Sequence, residues 1–490
     1  MNKPLHIVIV GGGTAGWMTA NLMAKRWTEE NIQIQLIESP DIGTVGVGEG
    51  STPTLKRFFN DMDIDESTWM QACNATYKTN IRFVDWSPAS GINSYSHPFT
   101  SQVDLHSEPA FYRNCFTRRL GLDVHTQPDS FFLNSLLAAE HKQPVAPANF
   151  PFVVEYGYHF DSGLLGQFLR EHALRLGVEH IQAKIVDVQK HPDGSISAVA
   201  TDKAQLIEGD FFVDCSGFRS LLLQQALGVK FNSFADNLYN DRALVLATEP
   251  LKKLPVETKA TALSAGWVWH IPLQNRTGNG YVYSSAFIDD TKAEQEFREH
   301  LGLGEQDANL RTLHMKVGQV QQHWHKNCLA LGLSQGFIEP LEATALHLVQ
   351  TSAEIFIDEF TRGHFTDQYQ KQYNELIGTR FERVRDYIVA HYKLNTRNDS
   401  EYWRSNRDNM KLSESLILLL DVWYRKGDLG QEIARQKLDT HFANPSWHCL
   451  LAGYGAFPVL SAQQAPNVDQ YEDKKLAAFF AGCALNFKAK

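Results

Sequence analysis

Long apolar runs are missing from this chain. The most hydrophobic stretch, residues 416–422, falls far short of the roughly 18–20 residues that cross a bilayer, so no membrane span is expected. Cysteine is sparse. Cys73, Cys115, Cys215, Cys328, Cys449 and Cys483 show no C-x-x-C pair and no regular spacing, which speaks against a disulfide framework or a cysteine zinc site and predicts reduced thiols in a cytoplasmic protein. There is no stripe of basic residues, and the net charge is −10. That balance disfavours a nucleic-acid footprint and favours a small-molecule partner. The 19 histidines include the pair His323-x-His325, but without H-E-x-x-H or a carboxylate facial set they are expected to be solvated or core residues, with no metal bound. The opening residues run straight into a strand with no charged-then-apolar pattern, so no signal peptide is expected, and no repeat or low-complexity tract is evident.

What is present suits a folded chain with a large core. Hydrophobic residues make up 43% of the 490, enough to leave long disorder out of account, and the length allows about three domain-sized units at most. Residues 6–10 form a short β-rich run that leads directly into Gly11-Gly12-Gly13-Thr14-Ala15-Gly16, and residues 17–27 carry a helical pattern. A second strand, residues 32–37, ends at Glu38, 22 residues beyond Gly16. This is a βαβ unit with the G-x-G-x-x-G turn in place. Gly11 permits the tight turn, Gly13 lets backbone approach a pyrophosphate, and Gly16 lets helix and strand pack. The first amides of the helix would face the phosphates, and Glu38 would accept from a ribose hydroxyl. A purely structural glycine turn is the competing account.

That turn alone does not choose between FAD and NAD(P). Val213-Asp214-Cys215-Ser216-Gly217, a strand ending in an acid and small residues, looks like the second nucleotide-proximal motif of FAD enzymes, so FAD is preferred. Further strands are expected at residues 185–188, 196–200 and 211–213, and a helix at 164–176. Residues 87–149 are looser and read as an insertion. Beyond Thr344 the pattern is helical, at 346–362, 367–392, 412–423 and from Lys474. The expected architecture is α/β: a Rossmann-like FAD-binding core of the flavin monooxygenase type over residues 1–345, with interleaved substrate-side insertions, and a mostly helical C-terminal subdomain over 346–490. With no Gly/Ser/Pro linker between them, the two are expected to pack as one body.

Four separated segments, GGGTAGWMTA from Gly11, GVGEGSTP from Gly46, WVWHIP from Trp267 and GLSQGFIEPLEAT from Gly332, resemble the flavin-dependent tryptophan and indole halogenases. Thr76-Tyr77-Lys78 falls at that family's catalytic lysine. W-x-W-x-I-P is the most diagnostic segment, because flavin hydroxylases sharing the nucleotide fold lack it. The resemblance implies that reduced FAD, O2 and bromide or chloride generate hypohalous acid, which travels through an internal passage to Lys78. There the lysine either hydrogen-bonds it or forms an N-haloamine, and the aromatic ring attacks the halogen. A lysine amine suits both versions, provided it is buried beside the substrate. No NAD(P)H site is evident, so reduced FAD is expected from a separate, transient flavin reductase; a homodimer is left open.

By the same resemblance Glu342 orients hypohalous acid or takes up the ring proton, although Pro340-Leu341-Glu342 also looks like an ordinary helix start. Thr344 and the Ala345 amide would bind halide, with Ala343 and Ala345 replacing the serine and glycine common in the family. The FAD set would be Gly11, Gly13, Thr14, Ala15, Gly16, Glu38, Val47, Glu49, Val186, Leu333 and Leu346, with Val47 and Glu49 in a glycine-rich strap. Trp267 and Trp269 would line the passage, or simply pack a buried strand face. His97, Pro98, Phe99 and Phe442 would surround the substrate ring. Tryptophan halogenases hold the amino-acid end of their substrate with a Tyr-Tyr pair and a Glu. This chain lacks the pair between Asp428 and Phe442, which shifts the expected substrate from free tryptophan to indole or an indole-bearing compound. An FAD-dependent aromatic hydroxylase and a non-catalytic FAD-fold binding protein are the alternatives.

Overall fold

The run Leu5–Val10 lies inside a six-stranded sheet, paired in parallel with Ile32–Glu38 on one side and Phe211–Asp214 on the other. Ile7, Val8 and Ile9 are fully buried. Layers on both faces of a parallel sheet demand this unbroken apolar run. Cys328–Ala330 and Trp324–His325 extend the sheet past Phe211–Asp214, and Glu179–Gln182 extends it past Ile32–Glu38. Helix Thr14–Arg26 connects the first two strands and packs against helices Ser162–Arg175 and Ala345–Arg362. Asn21 within it donates to the Leu169 carbonyl at 2.8 Å. A three-stranded antiparallel sheet, Ile185–Lys190, Ile196–Thr201 and Leu206–Glu208, completes this side.

In this computed structural model, which describes residues 3–41, 43, 48–304 and 310–489, the elements above belong to one of two units. It gathers Met1–Ala75, Phe160–Ala235 and Lys316–Glu382, and the second gathers Thr76–His159, Asp236–Met315 and Arg383–Lys490.

The second unit is built on a seven-stranded sheet in the order Arg311–His314, Arg242–Thr248, Thr277–Tyr283, Gly266–Pro272, Glu257–Leu263, Asn80–Ser87, Ile92–Pro98. All neighbours are antiparallel except Glu257–Leu263 beside Asn80–Ser87. Helix Asp290–His300 packs Ala293 and Phe297 against Leu244, Leu246, Tyr281 and Tyr283. Toward the other end of the sheet, Phe83, Trp86 and Tyr95 meet His391, Tyr392 and Trp403 in a continuous aromatic cluster. Helices Glu401–Asp408, Glu414–Tyr424, Leu429–Gln436, Asn444–Gly453 and Leu476–Ala484 make up most of the C-terminal part. Among the described residues, no helix is long and apolar enough to cross a membrane.

The stretch 87–149, expected to be loose, contains helices Glu108–Arg119 and Leu133–Ala139. Its pattern is obscured because polar side chains point inward. Asn114 donates to the His125 carbonyl and to Asp469, and Arg119 donates to the carbonyls of Trp423 and Gly427 while its guanidinium lies 4.5 Å from the centre of the Trp423 ring. Buried polar groups satisfied in this way erase the apolar stripe that marks a helix.

Candidate active site

In the first unit the strand that ends at Val10 turns through Gly11 at φ 119°. A Cβ at Gly11 would sit 2.1 Å from the Cys215 carbonyl oxygen, and one at Gly16 would sit 1.9 Å from the Gly11 carbonyl oxygen. Those two glycines are demanded by the protein's own packing. Gly13 is different: a Cβ there would meet nothing within 4 Å. It caps helix Thr14–Arg26 without a side-chain hydrogen bond, so no side chain there occupies the first helix amides, and an uncapped helix start suits an anion. Beyond the turn, Glu38 Oε2 is buried and pairs with His180 Nε2 at 3.1 Å. The uncapped helix start and the Glu38 carboxylate together fit a dinucleotide.

Asp214 closes the opposite side of this turn, with its carboxylate already occupied. One oxygen accepts from the Ser216 amide and hydroxyl and from Ser334, and the other accepts from the amides of Leu222 and Leu223. The second motif is thus a knot holding its own loops. Segment Gly332–Ser334 is seated against the glycine turn, because a Cβ on Gly332 would reach within 2.8 Å of the Ala15 Cβ; Leu333 there is half-buried. Val186 stands apart, 60% exposed on the small antiparallel sheet. Val47 lies outside the described residues. Glu49 is partly buried, and desolvation, augmented by Asp161 and partly offset by hydrogen bonding with Ser162, raises its carboxyl pKa to about 7.

The same unit carries the segment that precedes helix Ala345–Arg362. A turn at Pro340–Glu342 is followed by Ala343 in the left-handed region at φ 55°, and Thr344 then caps the helix with no side-chain hydrogen bond. Glu342 is 3% and Thr344 4% exposed, whereas Ala345 is exposed and Leu346 buried. Thr344 Oγ1 has no hydrogen-bond partner in the protein. An unused buried hydroxyl beside uncapped helix amides is a ready anion site.

The second unit holds Lys78 on the three-residue strand Thr76–Lys78, paired antiparallel with the end of Gly157–Phe160. Its side chain is fully buried, and Nζ lies 5.3 Å from the centre of the Phe99 ring. Phe99 follows His97 and Pro98 at the end of strand Ile92–Pro98, held by its amide to the Thr79 carbonyl. Phe442 stacks on Tyr387 with ring centres 3.7 Å apart and planes 5° from parallel, and His97 lies 6.4 Å from Phe442. His97, Tyr387 and Phe442 therefore form one aromatic wall. Trp267 is buried and Trp269 half-buried on strand Gly266–Pro272, their rings 6.0 Å apart. The Trp269 ring lies directly over Gly280, where a Cβ would come within 2.0 Å of it, and its buried Nε1 has no partner in the protein.

The tryptophan halogenase family model matches residues 6–470. The chain belongs to the tryptophan halogenase family. Over 445 residues the halogenase is 38% identical to the tryptophan 6-halogenase SttH of Streptomyces toxytricini, covering 86% of this chain and 84% of that one. It superimposes on a tryptophan halogenase from Shewanella frigidimarina with TM-score 0.86 at 30% identity, over 100% of this chain and 96% of that one. BrvH, a flavin-dependent halogenase from Brevundimonas sp. BAL3, gives 0.81 at 33% identity, over 98% and 95%. The halogenase is thus an FAD-dependent oxidoreductase that uses FADH2 from a separate flavin reductase, O2 and halide.

The predicted residues fall into two groups. The described FAD positions, the halide positions and Glu342 lie in the first unit; Lys78, His97, Pro98, Phe99, Trp267, Trp269 and Phe442 lie in the second. Sequence reasoning missed Tyr387, whose only signal was a place on a long helix, and the fully buried His159. Among the described residues, no group of three or more metal-ligating side chains converges.

Proposed function

We propose that this halogenase forms a carbon–halogen bond on an indole-like ring at Lys78. The observation that carries the reading is a fully buried lysine amine placed over Phe99 in the same unit as the His97–Phe442 aromatic wall. Burying a lysine side chain is costly, and ionisable groups held at such a cost cluster at functional sites. Reduced FAD, when bound at the Gly13 cradle and Glu38, supplies the electrons for O2 and so the oxidation of halide to hypohalous acid. Thr344 Oγ1 and the amides opening helix Ala345–Arg362 hold the halide. Lys78 presents the electrophilic halogen either by hydrogen bonding to hypohalous acid or as an N-haloamine formed with loss of water. The ring carbon bonds to the halogen as its O–halogen or N–halogen bond breaks, releasing hydroxide or the lysine amine, and the displaced ring proton passes to a base, for which Glu342 is proposed.

Free tryptophan is the less favoured substrate. The segment where relatives carry a tyrosine pair is here helix Leu429–Gln436 and a short turn, without tyrosine. Indole, or a larger molecule with an exposed indole, fits better. A cytoplasmic location belongs to the same reading, supported by six cysteines that are all unpaired.

The test is the purified protein with FAD, a flavin reductase, NADH, O2 and either bromide or chloride, offered tryptophan, indole and an indole-bearing peptide, with products read by mass spectrometry. Halogenated indole is expected to exceed halogenated tryptophan. Lys78→Ala is expected to keep oxidising reduced flavin while losing product. Halogenation surviving in that variant ends the role given to the lysine.

A further inference from the structure

Beneath the Lys78 strand lies a closed chain of polar groups. On the antiparallel pair formed by Thr76–Lys78 and Gly157–Phe160, Thr76 is opposite His159 and Lys78 opposite Gly157. Side chains alternate across a strand, so Thr76, Lys78 and His159 share one face while Tyr77 and Tyr158 take the other. The imidazole is therefore the diagonal neighbour of the lysine on that face, close enough for long side chains to interact. Lys78 and His159 are fully buried and Thr76 is 3% exposed.

The proton positions follow from counting donors. The Thr76 hydroxyl has one proton, and it goes to the Pro272 carbonyl oxygen at 2.6 Å, which can only accept. Toward His159 Nδ1, at 3.1 Å, Thr76 Oγ1 is therefore the acceptor, and Nδ1 carries the hydrogen. Nε2 is then bare and accepts from the Thr258 hydroxyl at 2.8 Å. The chain runs one way, from Thr258 through His159 and Thr76 to Pro272. Burial, reinforced by Lys78, holds the imidazole pKa well below its ordinary value, so the ring stays neutral and the direction does not reverse.

We propose that His159 is a positioning residue for Lys78, locked as one tautomer by Thr258 and Thr76 so that the lysine strand is tied to the Pro272 end of the strand carrying Trp267 and Trp269. The inference rests on the reading of Lys78 as the residue that presents the halogen. A three-residue strand offers little backbone pairing to hold a reactive amine in place. The hydroxyl–imidazole chain adds two connections, one to Pro272 and one to Thr258 on the neighbouring strand Glu257–Leu263. Displacing a reacting group by about 1 Å costs on the order of 100-fold in rate, which sets the scale of what the chain protects.

The experiment is Thr258→Val, which removes the hydroxyl at nearly constant shape, beside Thr258→Ser, which restores it, and Thr76→Val as an independent cut. Each is assayed with indole for halogenated product per reduced flavin oxidised, and each is melted. The valine variants are expected to consume reduced flavin normally while yield per flavin falls about 10- to 100-fold, and Thr258→Ser is expected to recover most of it. Wild-type yield in a folded Thr258→Val overturns the proposal, as does a lowered melting temperature with yield unchanged, which assigns the chain to stability alone. Lys78→Ala run in parallel separates the two readings, since product from that variant defeats the lysine assignment whatever the threonine variants do.

Discussion

The Trp269–Gly280 contact makes a demanding test of the tryptophan strand. Trp269 is paired directly with Gly280, and an added Cβ would sit 2.0 Å from the indole ring. Non-bonded carbons settle near 3.5–4.0 Å, so Gly280→Ala requires a separation about 1.5 Å greater. The backbone has no freedom to supply it: Thr277–Tyr283 is hydrogen-bonded along its whole length to Gly266–Pro272 on one side and Arg242–Thr248 on the other. The indole must swing instead, and its Nε1 has no protein partner to resist. Overpacking of this kind costs about 1–3 kcal/mol, which at about 1 °C per kcal/mol for a chain of this length lowers Tm by roughly 1–3 °C. If Trp269 walls the oxidant's route, the displaced ring also lets hypohalous acid escape, and product per flavin oxidised falls. The assay is a melt and a coupling measurement on Gly280→Ala, Trp269→Leu and the double variant. In the Trp269→Leu background the alanine should cost almost nothing, because the clash partner is gone. An equal penalty in both backgrounds refutes the steric argument, and a lower Tm with unchanged coupling refutes the role of Trp269 in containing the oxidant.

Thr344→Val removes a buried hydroxyl that bonds to nothing in the protein, so stability should hold while halide half-saturation rises about 10- to 100-fold, the worth of one hydrogen bond to an ion; titrating bromide and chloride checks it, and unchanged halide dependence removes Thr344 from the site. Glu49, with its carboxyl raised to about 7, takes up protons on folding, so its contribution is most favourable below about pH 4.5 and is lost as pH rises to about 7. Glu49→Gln should therefore flatten the fall in stability across that window, by an amount on the order of 2 kcal/mol allowing for partial exposure, as read from denaturant midpoints at pH 5 and pH 8; identical pH slopes in the two proteins refute it.

What could be read in the sequence depended on how far a residue's meaning lay from it along the chain. The glycine turn was legible because its requirements are local: the strand, the turn, the helix and the strand ending at Glu38 follow one another directly, and the structure adds only that Gly13, rather than Gly11 or Gly16, faces open space. Asp214 was half legible. Its strand-ending position pointed to the nucleotide side, but the partners that occupy its carboxylate, Leu222, Leu223 and Ser334, carry no pattern that announces them. Lys78 was not legible from its own surroundings at all, since its burial is created by a strand around residue 157 and by Phe99.

His159 and Tyr387 show why such gaps are systematic. Periodicity assigns a side chain to a face, and for a core residue that assignment is complete, because any apolar neighbour will serve. A buried imidazole or phenol needs a particular partner as well, and which one is fixed by register between distant strands and helices. Thr258 reaches His159 from 99 residues away, and the Tyr387 hydroxyl finds the Ser446 carbonyl 59 residues on. Neither distance leaves a trace in local composition. The residues that position a reacting group are therefore the ones that single-sequence reasoning is least equipped to find, and a buried, fully satisfied polar chain beside a proposed catalytic side chain is the structural sign that exposes them.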